Sequence, residues 1–548
     1  MHDSDRHQTR GAHREHLTRR RFLRGLIGAG AGLAVVPLLT ACGGAVPTAT
    51  VAPASARPSA APSVAPSAAP SMAASSAPAS ARPSAATSAA PVGAASTVAS
   101  TAPSAAASAA PPTPTAIAGL PRAKSSSKVT GKYQFVQYQD FHPDHNAFIR
   151  AEIQEFCKTQ GWPLDITYAS GYQGSGDLLT ALIGAVQAGN PPDAMYHDIG
   201  VFQYQSQNVL EKVTDLTKEA IEKYGETYPG YIDGTFFGNE WWGVPFYGRT
   251  VGLYVRKDIF AKNGLDPDRD TETYDKMRET ALKLSDPENK SWGWGLTVNR
   301  SGDGTNTVAN TLLHFGSQLQ DKEGQRVTFN SKETVDAVKW LKETYTDPKW
   351  AKMLPPGVLS WNDLGNNEAF LAGTLSMTHN GGTMYAKAVY DKVPHANQIL
   401  FLPNPKRRSD GKRLDSLAGA RLHIIKGTKN RDASADLIRH LLSEPVLNQL
   451  FATSPGFVIP PYKKAWANPL IQGNENAKRA EPLAYPTDRF TGLRDPGPPS
   501  AAIDAIGGGN YLTDMLGEVL QGKSPEEAVK AYSDRFVQIF KDFGLRGS

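Results

Sequence analysis

Cysteine is almost missing from this chain: Cys42 and Cys157 are the only two in 548 residues. A disulfide framework and a thiolate metal site are therefore not expected. Cys157 falls on an apolar helical stripe, and Cys42 stands in a context that gives it another use. Motifs for phosphate and acyl chemistry are missing too. There is no glycine loop ending in lysine, no nucleophile elbow and no HExxH helix, and "GGGN" at Gly507 to Asn510 lacks the strand, loop and helix that a phosphate cradle needs. The uncharged run Gly25 to Ala41 is too short and too glycine-rich to span a bilayer. The net charge of +5 is carried largely by Arg6, Arg10, Arg14, Arg19, Arg20, Arg21 and Arg24. The remainder is close to neutral and has no basic patch interleaved with aromatics, so nucleic acid is not an expected partner. "KRR" at Lys406 to Arg408 reads as a solvated turn.

The first 41 residues read as an address. "TRRRFLRG" sets paired arginines before Phe22 and Leu23, the uncharged run follows, and "LTAC" closes it. The pattern resembles a twin-arginine export signal joined to a lipobox, which implies cleavage before Cys42, a thioether lipid on Cys42 and attachment to the outer face of a bacterial cell membrane. Residues 42–128 are nearly all Ala, Pro, Ser and Thr. Such a tract has too few large apolar side chains to offset chain entropy, and it is expected to be a disordered tether with a root-mean-square reach of about 50 Å.

From Val129 the composition is that of a folded protein of roughly 420 residues, more than one core comfortably supplies. "KYQFVQY" and "LDITYAS" have strand character, and "HNAFIRAEIQEFCKTQG" places Phe148, Ile149, Ile153, Phe156 and Cys157 on one helical stripe. Asp177 is positioned to cap a helix carrying Leu178, Leu182, Ile183 and Val186. "NPPD" ends it, and "AMYHDI" is a third strand. This alternation predicts an α/β protein with a mainly parallel sheet covered by helices. Ligands of such sheets lie beyond the carboxyl ends of the strands, which draws attention to Tyr138, Asp140, Gly171, Tyr172 and Asp198. Downstream, Thr273 is placed to cap a helix with Tyr274, Met277, Ala281 and Leu284 inward. "SPEE" at Ser524 to Glu527 is a capping box, opening a helix with the stripe Val529, Tyr532, Phe536, Ile539, Phe540 and Phe543.

Candidate chemistry is sparse. "DFHPDH" offers His142 and His145 beside Asp140 and Asp144, a spacing compatible with a metal but read here as helix-capping or solvated. Asp363 and Glu368 are available as a glycosidase-like pair, though sequence cannot supply the facing geometry. The densest feature is "NEWWGVPFYGRTVGLYVRKDIFAKNGLDP", in which Trp241, Trp242, Phe246 and Tyr247 surround a Gly-Val-Pro turn and lead into the strand-like run Thr250 to Val255.

These segments, in order, resemble the extracellular solute-binding proteins of ATP-binding-cassette importers, in particular the maltose-binding-protein-like, mainly carbohydrate-binding group. The resemblance is carried by "PPDAMYHDIGVFQYQSQNVLEKVTDL", by "WWGVPFYGRTVGLYVRKDIFAKNGLDP" with "TYDKMRETALKL", and by "EAFLAGTLSMTHNG". It continues through "LAGARLHIIKGTKNRDASADLIRHLL", "FVIPPYKKAW" and "LQGKSPEEAVKAYSDRF". It implies a type II periplasmic-binding-protein-like fold of two discontinuous α/β lobes joined by hinge strands: lobe one at 129–250 with 405–454, and lobe two at 251–404 with 455–548. The family's turn that often bears a stacking tryptophan reads "NGGTMY" at Asn380 to Tyr385, so Thr383 holds that position and Tyr385 is the substitute on offer.

The function implied is a non-enzymatic, monomeric receptor that captures a sugar or oligosaccharide, without cofactor or metal, and delivers it to permease subunits. The alternative class is a surface-anchored carbohydrate-active hydrolase or adhesion lipoprotein. A sugar ring stacks its C–H face on an aromatic ring while its hydroxyls need polar partners. The expected ligand contacts are therefore Tyr138, Asp140, Tyr172, Asp198, Trp241, Trp242, Tyr247, Trp361, Asn380, Tyr385 and Gly419. Trp241 and Trp242 are adjacent on an extended segment and point to opposite faces, so at least one of them is expected to face the ligand.

Overall fold

Strand β1 (Tyr133–Gln139) and helix α1 (Pro143–Gln160) follow the pattern read from their apolar residues, and Gly161 closes the helix in the left-handed region at φ 75°. The computed structural model describes residues 119–170, 178–198, 200–414, 417–486 and 489–548. The export signal, Cys42, most of the tether, Gly171, Tyr172 and Asp177 lie outside the described residues. Among the described residues no helix is long and apolar enough to cross a membrane.

Among the described residues nine strands share one sheet. After β1 come β2 (Leu164–Ser170), β3 (Ala194–His197), β4 (Val244–Arg256), β5 (Trp292–Gly295), β6 (Leu375–Gly381), β7 (Ile399–Leu402), β8 (Leu417–Ile424) and β9 (Val458–Ile459). Their order is β2-β1-β3-β8-β4-β6-β5, with β7 and β9 also paired to β4. The β2-β1-β3 and β6-β5 pairs are parallel, and every pairing of β8 or β4 is antiparallel. Thirteen residues long, β4 serves both halves of the sheet. Val244 to Thr250 pair with β8, whereas Val251 to Arg256 pair with β6 and β7. Leu253 and Val255 are fully buried at that crossing, and Val251 is half-buried. The register of β8 against β4 slips between Ala420 and Arg421, so that Ala420 faces Tyr247 and Arg421 faces Pro245.

Helices cover the sheet and separate its cores. One core packs α1 and α9 (Arg431–Leu441) against the first half of the sheet, and another gathers α5 (Tyr274–Leu284) with the C-terminal helix α13 (Pro525–Asp542). The expected caps are present: the Thr273 side chain accepts the Lys276 N–H at 3.3 Å and that of Ser524 accepts the Glu527 N–H at 3.2 Å. The stripes behind them are buried at Tyr274, Met277, Ala281 and Leu284 and at Val529, Tyr532, Phe536 and Phe540. Helix α2 (Leu178–Gln187) buries only Leu182 fully; Leu178, Ile183 and Val186 pack at the margin of a smaller core with Val201 and Tyr204.

Three expectations need correction. The chain docks on the folded body before residue 129: Leu120 packs on the main core, Arg122 pairs with Glu152 at 2.5 Å, and the Ser127 hydroxyl donates to Asp436 at 2.6 Å. Composition hid this because the few anchoring side chains are diluted by Ala, Pro and Ser. The Lys406 to Arg408 turn is paired rather than merely solvated, with Lys406 on Glu272, Arg407 on Asp410 and Arg408 on Asp275, each at 2.5 Å. His142 and His145 are buried rather than solvated, and His142 stands at the N-cap of α1 without a side-chain capping bond. His142 Nε2 is hydrogen-bonded to the Thr453 carbonyl at 3.1 Å, and His145 joins Ser454 Oγ at 2.8 Å to the Tyr247 hydroxyl at 3.0 Å. Burial drives both imidazoles toward the neutral form.

Candidate ligand-binding cleft

The carboxyl ends of β1 and β3 deliver Asp140 and Asp198 to the same place, where Arg249 from the middle of β4 joins them. Arg249 Nη1 donates to the Tyr138 hydroxyl at 3.1 Å and to Asp140 at 3.3 Å, and its Nη2 bonds Asp198. Burial raises the Asp198 carboxyl, but Arg249 and His197 outweigh it and hold the group well below the usual carboxylate range. Asp140 comes out the other way: burial raises it and the more distant guanidinium only partly compensates. Thr383, which opens α8 (Thr383–Tyr390), offsets a further part of that rise.

Facing this group is a second polar cluster. Asp363 accepts the N–H groups of Gly302 at 3.1 Å and Asp303 at 2.7 Å, at the start of α6 (Gly302–His314). Asn366, on α7 (Gly365–Leu371), donates to Asp303 at 2.8 Å, and Asn380 donates to Asn367. Burial first and the Asp363 charge second push the Asp303 carboxyl up, with Asp140 adding to the repulsion. The neighbour of Asp363 is therefore Asp303 and not Glu368, which is exposed on α7.

Beside Asp198 opens a cavity of about 320 Å³. One wall comes from Gly200, Val201 and Phe202 at the start of α3 (Val201–Ser206), from Gly230 and Gly234 of α4 (Pro229–Thr235), and from Leu417 and Arg421 of β8. The opposite wall is Thr491, Gly492, Arg494, Pro499 and Asp504, the last on α12 (Ala501–Gly507). Asp504 accepts the Gln203 N–H across the gap at 3.1 Å, and burial pushes its carboxyl up to about 6.

Of the residues singled out from sequence and described here, Asp198 alone lines the cavity, while Tyr138 and Asp140 join it through Arg249. Asn380 belongs to the facing polar cluster. Trp361 is half-buried and packs against both large cores. Neither Trp241 nor Trp242 lines this cavity. Trp241 is 6 % exposed, tilted onto Phe236 with centroids 5.2 Å apart, and its backbone N–H donates to the Thr214 hydroxyl at 2.8 Å. Trp242 stacks on Phe237 at 5.8 Å, and Phe237 stacks on Phe202 at 4.0 Å. The ring on the cavity is thus Phe202, with Trp242 two tiers behind it. Tyr247 is fully buried against His145 and Phe457, Tyr385 is buried with its hydroxyl accepting from Asn474 at 3.2 Å, and Gly419 pairs with Gly248 under the Tyr231 ring.

Sequence reading missed Arg249, Arg421, Arg494, Asp504, Asp303 and Phe202. A charged residue inside an apolar strand, as in "PFYGRTVGLYV" around Arg249 or "AGARLHI" around Arg421, was the available signal. Asp504 and Phe202 sit in ordinary helical patterns and offered none.

The family profile described as bacterial extracellular solute-binding protein matches residues 142–446. Among curated relatives, the chain is 31% identical over 401 residues to the sn-glycerol-3-phosphate-binding periplasmic protein UgpB of Escherichia coli, covering 69% of this chain and 85% of the relative. It is 23% identical over 299 residues to a maltotriose-binding protein of Pyrococcus abyssi, covering 52% of this chain and 57% of that protein's length. Among solved structures, maltose-bound MalE3 of T. maritima aligns with a TM-score of 0.62 at 18% identity, covering 74% of this chain and 98% of that one. The GacH receptor of Streptomyces glaucescens, solved unliganded and with acarbose, aligns at 0.61 and 18% identity, covering 76% and 100%. At that identity the structural likeness speaks to the fold, which is that of type II periplasmic binding proteins.

Proposed function

The chain belongs to the family of bacterial extracellular solute-binding proteins, and from that premise we propose that it is the receptor of an ATP-binding-cassette importer, capturing a sugar-like solute between its two lobes and handing it to permease subunits. The observation that carries this reading is the cavity at Asp198. Its walls come from elements of separate cores, α3 from one and α12 from another, and β4 runs through both halves of the sheet as a hinge would. About 320 Å³ is at the lower end of small-molecule sites, which run from roughly 300 to 1,000 Å³. Phe202 supplies an apolar ring for a sugar's C–H face, and Asp198, Asp504, Arg421 and Arg494 supply partners for oxygen-bearing groups.

The relatives are named as binding proteins, and the polar groups here hold backbone amides or one another rather than forming an obvious nucleophile and base. The export and lipobox patterns support a receptor anchored through Cys42 to the outer face of the cell membrane, with the Ala/Pro/Ser-rich tract as its tether and the folded part working as a monomer. The test is a melting-point screen of the purified chain across mono- and oligosaccharides, followed by recovery of the ligand. A ligand at a hundred times its Kd stabilises the native state by about 2.7 kcal/mol. A saccharide that raises the melting point and is recovered intact supports the reading. Recovery of cleaved saccharide would favour the hydrolase alternative.

A further inference from the structure

Among the described residues the cavity is lined by two carboxylates, Asp198 and Asp504, and two guanidiniums, Arg421 and Arg494, and one of the four is held differently from the rest. Asp198 is paired with Arg249. Arg494 is paired with Asp233 at 2.8 Å. Asp504 accepts the Gln203 N–H at the start of α3. Arg421 is different: its Nε donates to the Thr235 hydroxyl at 3.0 Å and its Nη1 to the Gly419 carbonyl at 3.1 Å, both neutral acceptors, and its guanidinium lies 5.4 Å from the centre of the Tyr231 ring. Among the described residues no carboxylate comes within salt-bridge distance of it. Its Nη2 faces Gly234, where even a methyl group would sit 2.8 Å from that nitrogen, so the absence of a side chain leaves this edge of the guanidinium open beside the cavity. The slip in register between β8 and β4 falls at this residue, and bulges of this kind re-aim side chains at sites.

Resting on the solute-receptor reading above, we infer that Arg421 is the anion subsite of the cavity and that the solute is an acidic sugar or polyol, one whose carboxylate or phosphate seats on the Arg421 guanidinium while its hydroxyls meet Asp198 and Asp504. A guanidinium held by its Nε and one Nη keeps its other Nη edge pre-organised. That suits an oxyanion better than a hydroxyl, because charge-assisted pairs are roughly twice as strong as neutral ones. A neutral sugar would give Arg421 no contacting counter-charge and leave Asp504 as the opposite charge in the same cavity. Carboxylate and phosphate share this chemistry, and matched ligands separate them.

The experiment is calorimetric titration and melting-point shift on the purified chain with D-glucose, D-glucuronate and D-glucose 6-phosphate, their galacto counterparts, and glycerol against glycerol 3-phosphate. The inference expects an acidic member of at least one set to bind and its neutral counterpart to bind at least tenfold more weakly. Arg421→Gln should lower the acidic ligand's affinity on the order of a hundredfold, and Arg421→Lys, which keeps the charge but loses the planar fork, should fall between. The ligand-free melting points of both variants report whether the fold is kept. Neutral and acidic members binding alike, with Arg421→Gln indifferent, overturns the anion subsite and leaves the receptor reading standing. Absence of binding by every member overturns both.

Discussion

Trp241 and Trp242 are adjacent, yet neither reaches the cavity, because Phe236 and Phe237 arrive from the opposite strand of a two-residue ribbon and cover them. The division of labour is measurable. Trp241→Ala should cost about 3–5 kcal/mol of stability and leave the affinity of the folded fraction unchanged. Phe202→Ala should keep most of the stability and weaken ligand binding on the order of tenfold, with Trp242→Ala smaller because it acts through Phe237. Denaturant titration and calorimetry on the three variants check this; a loss of affinity confined to Trp241→Ala would return that ring to the site. Arg249 gives a second residue-scale expectation. Its side chain is 11 % exposed and holds two carboxylates, so Arg249→Gln should cost about 3–5 kcal/mol by leaving them buried and uncompensated. Adding Asp140→Asn and Asp198→Asn to that variant should restore much of the loss in urea titration.

Helices α3 and α12 belong to different cores and meet through Asp504. Burial raises its carboxyl to about 6 against the opposing pull of the Gln203 and Phe202 N–H groups, Arg421 and Arg494. A folded value above the unfolded one of about 3.8 means that the folded state keeps a proton the unfolded state has released. This group's contribution to stability is therefore full below about pH 3.8, declines as pH rises through the window to about 6, and stands about 3 kcal/mol lower above it. Asp504→Asn keeps an oxygen acceptor for the Gln203 N–H and removes the charge. Its melting point should exceed that of the parent at pH 7.5, and the difference should vanish near pH 4; a difference constant across that range would mean that the carboxyl is not desolvated in solution. Gly200 sits under the same carboxyl, where a Cβ would meet Oδ2 at 2.7 Å. Gly200→Ala should push α3 and α12 apart and weaken ligand binding.

At the scale of the molecule, a cleft walled by two cores and crossed by one long strand is expected to close on its solute. Small-angle scattering should give a smaller radius of gyration at saturating ligand, and an identical radius would mean a rigid binder. Attachment is tested separately. Cys42→Ala should release the protein to the medium or leave it as an uncleaved precursor, and unchanged acylated, membrane-bound protein would refute the lipobox reading.

The helices and strands that sequence foretold best are those whose fate depends on near neighbours. The caps at Thr273 and Ser524 and the stripes of α1, α5 and α13 are written in residues three and four apart, and local spacing is enough to settle them. The ordered set of family-like segments likewise carried the type II architecture, since each segment can be matched within its own stretch. The cleft was another matter. Whether an aromatic ring faces solute or core depends on which ring from elsewhere lies over it, and Phe236 and Phe237 decided that for the two tryptophans. Whether a charge is spent or available depends on partners far along the chain: Arg249 meets Asp140 and Asp198 more than fifty residues before and over a hundred residues before it, in reverse order, and Asp504 meets Gln203 some three hundred residues away. Local sequence determined the elements and their order. Only the tertiary structure decided which charge was left without a partner, because neutralisation acts through space over a few ångströms and takes no account of distance along the chain.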